Sequence, residues 1–288
     1  MTTLPVESRL ARYSVGLAAT AVEMREAQRL RHRVFSEEMG ARLDSPITGL
    51  DVDPLDAYCD HLLVRCDDTG EVVGTYRLLG PRRADRLYSD SEFDLSALAG
   101  IRGNMVETGR ACVHPEHRGG AVLGLMWAGI ARYMTAGGYG WLAGCCSVPV
   151  ADAAGIMERV PLSPPGYRVT PHRPWRAGPV SGSPRRRGRR GRSGPSAASG
   201  SVPVFPIGAG AARSPREDAS KRTAATSPAA DRGRATLPPL LRGYVRLGAW
   251  VCGPPAHDLD FGTADFFVLL SMAEADPRYL RHFLGAAS

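Results

Sequence analysis

No apolar run in this 288-residue chain is long enough to cross a membrane. The longest, around Ala121–Ala131, falls well short of the roughly 20 residues that a spanning helix requires. The first residues include Glu7 and Arg9 but no apolar segment of a secretion signal. Cysteine is sparse and unpatterned. The six thiols (Cys59, Cys66, Cys112, Cys145, Cys146 and Cys252) show no framework spacing, and most sit in apolar, strand-like runs. In such runs a thiol behaves as a small hydrophobe. These absences exclude a disulfide-stapled secreted domain. The expectation is a cytoplasmic protein, at most peripheral at the inner face of a membrane.

Excess positive charge is also lacking outside one segment. The formal net charge is +7, but residues 176–235 carry 13 Lys/Arg against 3 Asp/Glu, a net of +10, which leaves the remainder at −3. A mildly acidic remainder is no footprint for nucleic acid, so no nucleic-acid partner is expected. Hydrophobic periodicity is missing between Pro179 and about Arg234, where the text is Arg, Gly, Ser, Pro and Ala and includes RRRGRRGR at 185–192. Such a composition cannot pack a core, so 176–236 is expected to be a long disordered insertion. Two origins stay open for it: a native solvated linker, or a G/C-rich stretch of gene read out of frame.

Periodicity is present on either side. Residues 10–18 read as a short strand, and Ala21–Gly40 as a helix with Val22, Ala27, Leu30, Val34 and Phe35 at helical spacing. HLLVRC (61–66) and EVVGTYRLL (71–79) flank Asp-Asp-Thr-Gly and predict a β-hairpin. A short helix near Leu95–Ala99, a strand over Asn104–Val113, a helix over Ala121–Ala136 and a buried strand over 139–150 follow. Beyond the insertion, LPPLLRGYVRLGA (237–249) reads as a helix with proline in its first turn, and residues 250–271 as strand, loop and strand. DPRYLRHFLG (276–285) reads as a closing helix capped by Asp276. The predicted organisation is one domain in two pieces, 1–175 and 237–288.

This element order, with the basic turn HPEHRGG (114–120) entering the second main helix, resembles the GNAT N-acyltransferase fold. That fold is α/β, with a mixed, mostly antiparallel sheet flanked by helices. Arg31 and Phe35 in LRHRVF, Asp53 and Asp56, Arg77 in GTYRLL, and Glu107 and Arg110 in ETGR stand where acyl-homoserine-lactone synthases carry such residues. FSEEMGA, DHLLV, GTYRLL, GRACVHPEHRGGAV, LLRGYVRLGAWVCG and ADFFVLL resemble more closely the ornithine N-acyltransferase family of ornithine-lipid synthesis. The likeness covers about residues 10–175 and 237–285.

The resemblance implies transfer of a 3-hydroxy fatty acyl group from acyl carrier protein to the α-amine of L-ornithine, forming lyso-ornithine lipid. No metal is implied, and no cofactor beyond the carrier's phosphopantetheine arm. It also implies that the strand over Asn104–Val113 bulges and splays from its neighbour, exposing backbone N–H groups to the thioester carbonyl. Glu107 takes the part of base, or of water-positioning group, for the incoming amine. Arg31, Phe35, Asp53, Asp56, Arg77 and Arg110 form the expected substrate site. On the residues alone, the three arginines either grip a substrate carboxylate or lock Asp53, Asp56 and Glu107. Glu107 is correspondingly a base or an ion-pair partner.

Cys112, Val113, Arg118, Gly119 and Gly120 form the expected donor-binding turn. A main-chain cradle for the pyrophosphate of coenzyme A would have glycines where Ala121 and Leu123 stand. A leucine side chain would crowd a diphosphate, which favours the single phosphodiester of a carrier protein. Two other readings are an acyl-homoserine-lactone synthase-like or other amine N-acyltransferase, and an Arg-rich nucleic-acid binder with a degenerate acyltransferase domain. Cys112, His114 and His117 lack a fourth ligand at zinc spacing, and Cys145 lacks a sequence-level partner for nucleophilic work. Ser147 and Tyr244 are candidates to protonate a departing thiolate, although a thiol of pKa about 8.5 leaves without much help.

Overall fold

Strands β1 (Ser8–Leu10) and β2 (Tyr13–Leu17) divide the first expected strand into an antiparallel hairpin. In this computed structural model the described residues are 6, 8–10, 12–176 and 237–285. The expected insertion, apart from Arg176, lies outside them. Thr20 opens helix α1 (Ala21–His32) with a capping box: its side chain accepts from the Glu23 N–H, and Glu23 answers to the Thr20 N–H.

The helix does not run on to Gly40 as an α-helix. It widens into a π-helix over Arg33–Glu38, in which the Met39 N–H donates to the Val34 carbonyl at 3.1 Å. One extra residue in the turn changes the direction of the side chains that follow. Val34, Phe35 and Met39 thereby come to line the cavity described below.

Strands β3 (Asp60–Cys66) and β4 (Val72–Leu79) form the predicted hairpin. A short strand β5 (Phe93–Asp94) precedes β6 (Met105–Val113), helix α2 (Ala121–Gly137), strand β7 (Trp141–Pro149), helix α3 (Ala153–Met157) and strand β8 (Thr170–Pro171). After the insertion come helix α4 (Pro239–Leu247), strands β9 (Trp250–Val251), β10 (Ala256–Asp258) and β11 (Thr263–Ser271), and helix α5 (Pro277–Gly285). The Arg278 N–H donates to the Asp276 carboxylate at 2.8 Å, which is the expected cap of α5.

The main sheet runs β1-β2-β3-β4-β6-β7-β11-β10, with β9 on β11. Every pairing in it is antiparallel except β6–β7. The pieces before and after the insertion therefore share one sheet, joined at β7–β11.

On one face α2 buries Val122, Met126 and Ile130 against Val15, Leu62, Val64, Val106, Phe266 and Val268. On the other, Ala27, Leu30, Val34 and Phe35 pack on Leu63, Val72 and Cys112. Alternate residues of a strand point to opposite faces, so a sheet covered on both faces is apolar throughout, and all eight residues of β4 are buried. Among the described residues no helix is long and apolar enough to cross a membrane.

Candidate active site

The site begins where two strands part. β6 and β7 run parallel and pair only from Met105↔Trp141 to Thr108↔Gly144. Beyond that point β6 continues along β4, while β7 continues along β11. At the fork the Thr108 hydroxyl donates to the Ala143 carbonyl at 3.0 Å and meets the Tyr244 hydroxyl at 2.6 Å, and Tyr244 reaches Tyr76 at 3.1 Å. Gly144 permits this approach, because a Cβ there would stand 2.5 Å from the Thr108 carbonyl oxygen.

The bulge expected in β6 lies just beyond the fork. The register passes from Arg77↔Gly109 to Thr75↔Cys112, so that Arg110 and Ala111 stand together opposite Tyr76. Arg110 takes φ 53°, a backbone setting uncommon for a residue with a side chain. A cavity of about 390 Å³ fills the opening between the strands, within the usual range for small-molecule sites. Val34, Phe35, Met39, Leu240 and Phe261 make its apolar wall.

Beside the cavity lies a buried network of three arginines and three aspartates. Arg31, fully buried, forks onto Asp56 at 3.0 and 2.6 Å, pairs with Asp51 at 2.9 Å, and donates to the Asp51 carbonyl. Arg77 pairs with Asp53 at 2.9 Å and Asp56 at 3.5 Å. Arg110 pairs with Asp53 at 2.8 Å and lies 3.6 Å from Asp51. Gln28 also donates to Asp56, at 2.9 Å.

Burial pushes the Asp56 carboxyl up, but the Arg31 fork outweighs it and the group ends well below the usual carboxylate range. Asp53 is lowered in the same way: burial opposes ionisation, and Arg77 and Arg110 override it. For Arg31 the lock is the observed arrangement. Arg77 and Arg110 serve as locks too, yet both also line the cavity. Asp51 was not among the expected site residues. The only sequence signal for it was its position in the acidic loop that holds Asp53 and Asp56.

Glu107, expected as a base or an ion-pair partner, holds a loop in place. Its carboxylate accepts the backbone N–H groups of Tyr88 (2.7 Å) and Ser89 (2.9 Å), is 4% exposed, and is absent from the cavity wall. Burial raises its pKa; the Ser89 and Tyr88 hydrogen bonds and the Arg77 charge act in the other direction. No arginine among the described residues forms a direct ion pair with it. It clamps the loop carrying Tyr88 against β6. Glu107→Gln turns an amide N–H₂ toward one of two backbone donors. The expected loss is about 1–3 kcal/mol in a denaturant titration, with an unchanged pH profile of turnover for the folded fraction. An unchanged melt with a shifted profile would restore the base.

The turn before α2 also differs in detail from the expectation. Arg118 forks onto Glu38 at 2.7 Å through both terminal nitrogens and donates Nε to the Val113 carbonyl at 3.2 Å. Gly119 and Gly120 are exposed, and Gly120 takes φ 95° at the N-cap of α2. Leu123 packs against the core beneath the helix, so it does not stand over the turn as a crowding group. Cys112 is buried, and burial pushes its thiol up to about 12. Arg33 and the Glu116 N–H reach the two ring nitrogens of His114, and His117 meets Tyr13.

A second polar group was missed entirely. Asp265, Cys145, Tyr88 and Asp258 also line the cavity, and the Arg110 guanidinium lies 5.9 Å from the centre of the Tyr88 ring. Asp265 is 2% exposed and accepts from Ser147 (3.1 Å) and Thr263 (2.8 Å). Glu92 joins it: ligating atoms of Glu92, Cys145 and Asp265 all lie within 4.8 Å of one another. Both Glu92 carboxylate oxygens are buried and meet only neutral groups, the Tyr88 hydroxyl and the Cys145 thiol. Burial raises Asp265, and Asp258 adds to the rise. Burial and then the Asp265 charge raise Glu92. The one sequence signal was an aspartate inside the otherwise apolar strand ADFFVLL.

A family profile described as an acetyltransferase (GNAT) domain matches residues 30–128. The L-ornithine N(alpha)-acyltransferase of Brucella abortus (strain 2308) is 30% identical over 293 residues, covering 96% of this chain and 90% of the relative. That of Rhizobium meliloti (strain 1021) is 32% identical over 294 residues, covering 96% of this chain and 86% of the relative. The chain belongs to the L-ornithine N(alpha)-acyltransferase family. Among solved structures, an N-acyl amino acid synthase from uncultured soil microbes covers 91% of this chain and 94% of its own, at a TM-score of 0.47 and 11% identity. That likeness is too distant to argue from.

In this family member the expected site residues divide into two groups. Phe35, Arg77, Arg110, Cys112, Val113 and Arg118 line the cavity. Arg31, Asp53, Asp56, Glu107, Gly119 and Gly120 do not. The first group touches the space where chemistry would occur, whereas Arg31, Asp53, Asp56 and Glu107 hold the walls in place.

Proposed function

We propose that the chain moves a 3-hydroxy fatty acyl group from acyl carrier protein to the α-amine of L-ornithine, forming lyso-ornithine lipid. The observation that carries this reading is the cavity at the β6–β7 fork. It opens along the one stretch of β6 that leaves its parallel neighbour and is apolar on one side. The names of the relatives supply the acceptor.

In this reading the thioester carbonyl lies against backbone N–H groups of the bulged stretch Gly109–Ala111. Such groups stabilise charge on oxygen as the tetrahedral intermediate forms. The acyl chain runs along Val34, Phe35, Met39, Leu240 and Phe261. The free α-amine attacks, the C–S bond breaks, and the proton lost by nitrogen ends on the departing thiolate. With a thiol pKa near 8.5, that thiolate needs no dedicated acid. Arg110, which lines the cavity while one terminal nitrogen holds Asp53, is placed to meet the substrate carboxylate.

The donor assignment rests on the turn before α2. The Arg118 fork is engaged by Glu38, and Ala121 replaces a cradle glycine. A single phosphodiester asks less of such a turn than a diphosphate. Rates with a 3-hydroxyacyl carrier protein are expected to exceed those with the matching acyl-CoA at least about 10-fold and to fall as salt rises, because an acidic carrier is attracted to exposed cations such as Arg82 and Arg86. Equal rates with both donors would sink the donor assignment and leave the acceptor assignment standing.

A further inference from the structure

We infer that the Glu92–Asp265 carboxylate pair receives the side-chain ammonium of the acceptor, so that this end of the cavity selects a diamino acid over one with a neutral side chain. The inference rests on the reading of the cavity as the amine-acylation site. It begins from placement: Asp265 on β11 pairs with Ser147 on β7, so it stands on the β7 arm of the fork. Arg110 stands on the β6 arm. The two arms bring charges of both signs to one cavity, whose lining includes Arg110, Asp265 and Asp258.

Two buried carboxylates without a cation are costly, because desolvation of each charge is not repaid by an opposite one. Among the described residues neither Glu92 nor Asp265 has an ion-pair partner, and the buried Glu92 oxygens meet only the neutral Tyr88 and Cys145 side chains. The other groups facing the pair are the Tyr88 and Cys145 side chains, the Ser147 and Thr263 hydroxyls, and Asp258. None of them is a cation; the Arg110 guanidinium, 5.9 Å from the centre of the Tyr88 ring, is already paired with Asp53. The arrangement lacks one positive charge, which a substrate ammonium supplies.

The nitrogen concerned is the one that does not react. An α-ammonium must lose its proton before it can attack, and two desolvated carboxylates beside it would hold that proton in place. A side-chain ammonium keeps its proton throughout, so the same carboxylates cost nothing in the chemical step. Without substrate the pair holds a proton near neutral pH, since burial raises both groups, Asp265 adds to the rise of Glu92 and Asp258 adds to that of Asp265. Arrival of an ammonium favours the doubly charged form and releases that proton.

The test uses the full chain with its 3-hydroxyacyl carrier protein donor and compares L-ornithine with L-norvaline, which has the same carbon skeleton and no side-chain amine. The wild type is expected to prefer ornithine by about 100-fold or more in kcat/KM, as a site built around a polar substrate group rejects the analogue that lacks it. Glu92→Gln and Asp265→Asn should each compress that ratio at least about 10-fold, chiefly through KM for ornithine. Calorimetric titration of ornithine at pH 7, in buffers of different ionisation enthalpy, should show proton release for the wild type and less for either variant. An indiscriminate wild type, an equal loss on both substrates, or ornithine binding without proton release overturns the inference. So does tight Zn²⁺ binding that the same substitutions abolish while ornithine binding persists, which would make Glu92, Cys145 and Asp265 a metal site. If no amino acid is acylated at all, the acylation reading falls, and the calorimetry alone decides the pair.

Discussion

Asp56→Ala is expected to lower stability by about 3–5 kcal/mol, the cost of removing one partner from a buried ion pair. The substitution strips the Arg31 fork of its bidentate acceptor and leaves Gln28 Nε2 and the Asp53 N–H without theirs. Arg31 is fully buried and Asp56 is 4% exposed, so water cannot replace the lost carboxylate. A urea titration of the variant measures the loss. Asp44→Ala, on the exposed part of the same loop, serves as control and should change stability by no more than about 0.5 kcal/mol.

The sign of the pH dependence is fixed by the direction of the shift. The folded pKa of Asp56 is depressed, so its contribution is fully present above the ordinary aspartate range near about pH 4. It is lost as pH falls toward the depressed folded value. The wild type should therefore show an acid limb below about pH 4 that is shallower in Asp56→Ala. A variant with a wild-type urea midpoint would mean that the network does not hold the acidic loop to α1.

Gly144→Ala is expected to lower kcat/KM about 100-fold, the usual scale for displacing a reacting group by about 1 Å. The added Cβ would sit 2.5 Å from the Thr108 carbonyl oxygen and 2.8 Å from its hydroxyl. Backbone cannot rotate away as a flexible side chain can, so the two strands must separate at the fork. The Thr108–Ala143 and Thr108–Tyr244 contacts would stretch with them. Overpacking of this kind also costs about 1–3 kcal/mol, which a thermal melt reads separately from turnover. Wild-type turnover in Gly144→Ala would show that the width of the fork does not set the position of the thioester.

The sequence by itself determined the elements, their order and the family. Helix α2 and the β3–β4 hairpin were legible because burial imposes a period on apolar residues that survives without coordinates. Several separated motifs in one order, such as GRACVHPEHRGGAV and LLRGYVRLGAWVCG, identified the family for the same reason: each records a local backbone requirement. The conversion of the α1 extension into a π-helix left no such trace, since Arg33–Glu38 keeps helical composition.

Tertiary structure alone decided which charges meet. Arg31, Arg77 and Arg110 were candidates for grip or lock, and only proximity to Asp51, Asp53 and Asp56 makes Arg31 a lock while Arg77 and Arg110 keep a face on the cavity. Glu107 became a loop clamp because the Tyr88 and Ser89 N–H groups arrive beside it from a segment that shares no motif with it. Glu92 and Asp265 lie on either side of the insertion and come together only because the piece after it adds β11 to β7. Periodicity and capping are local and are written in the residues. The field at a carboxylate depends on distances through space, which only the closed sheet sets.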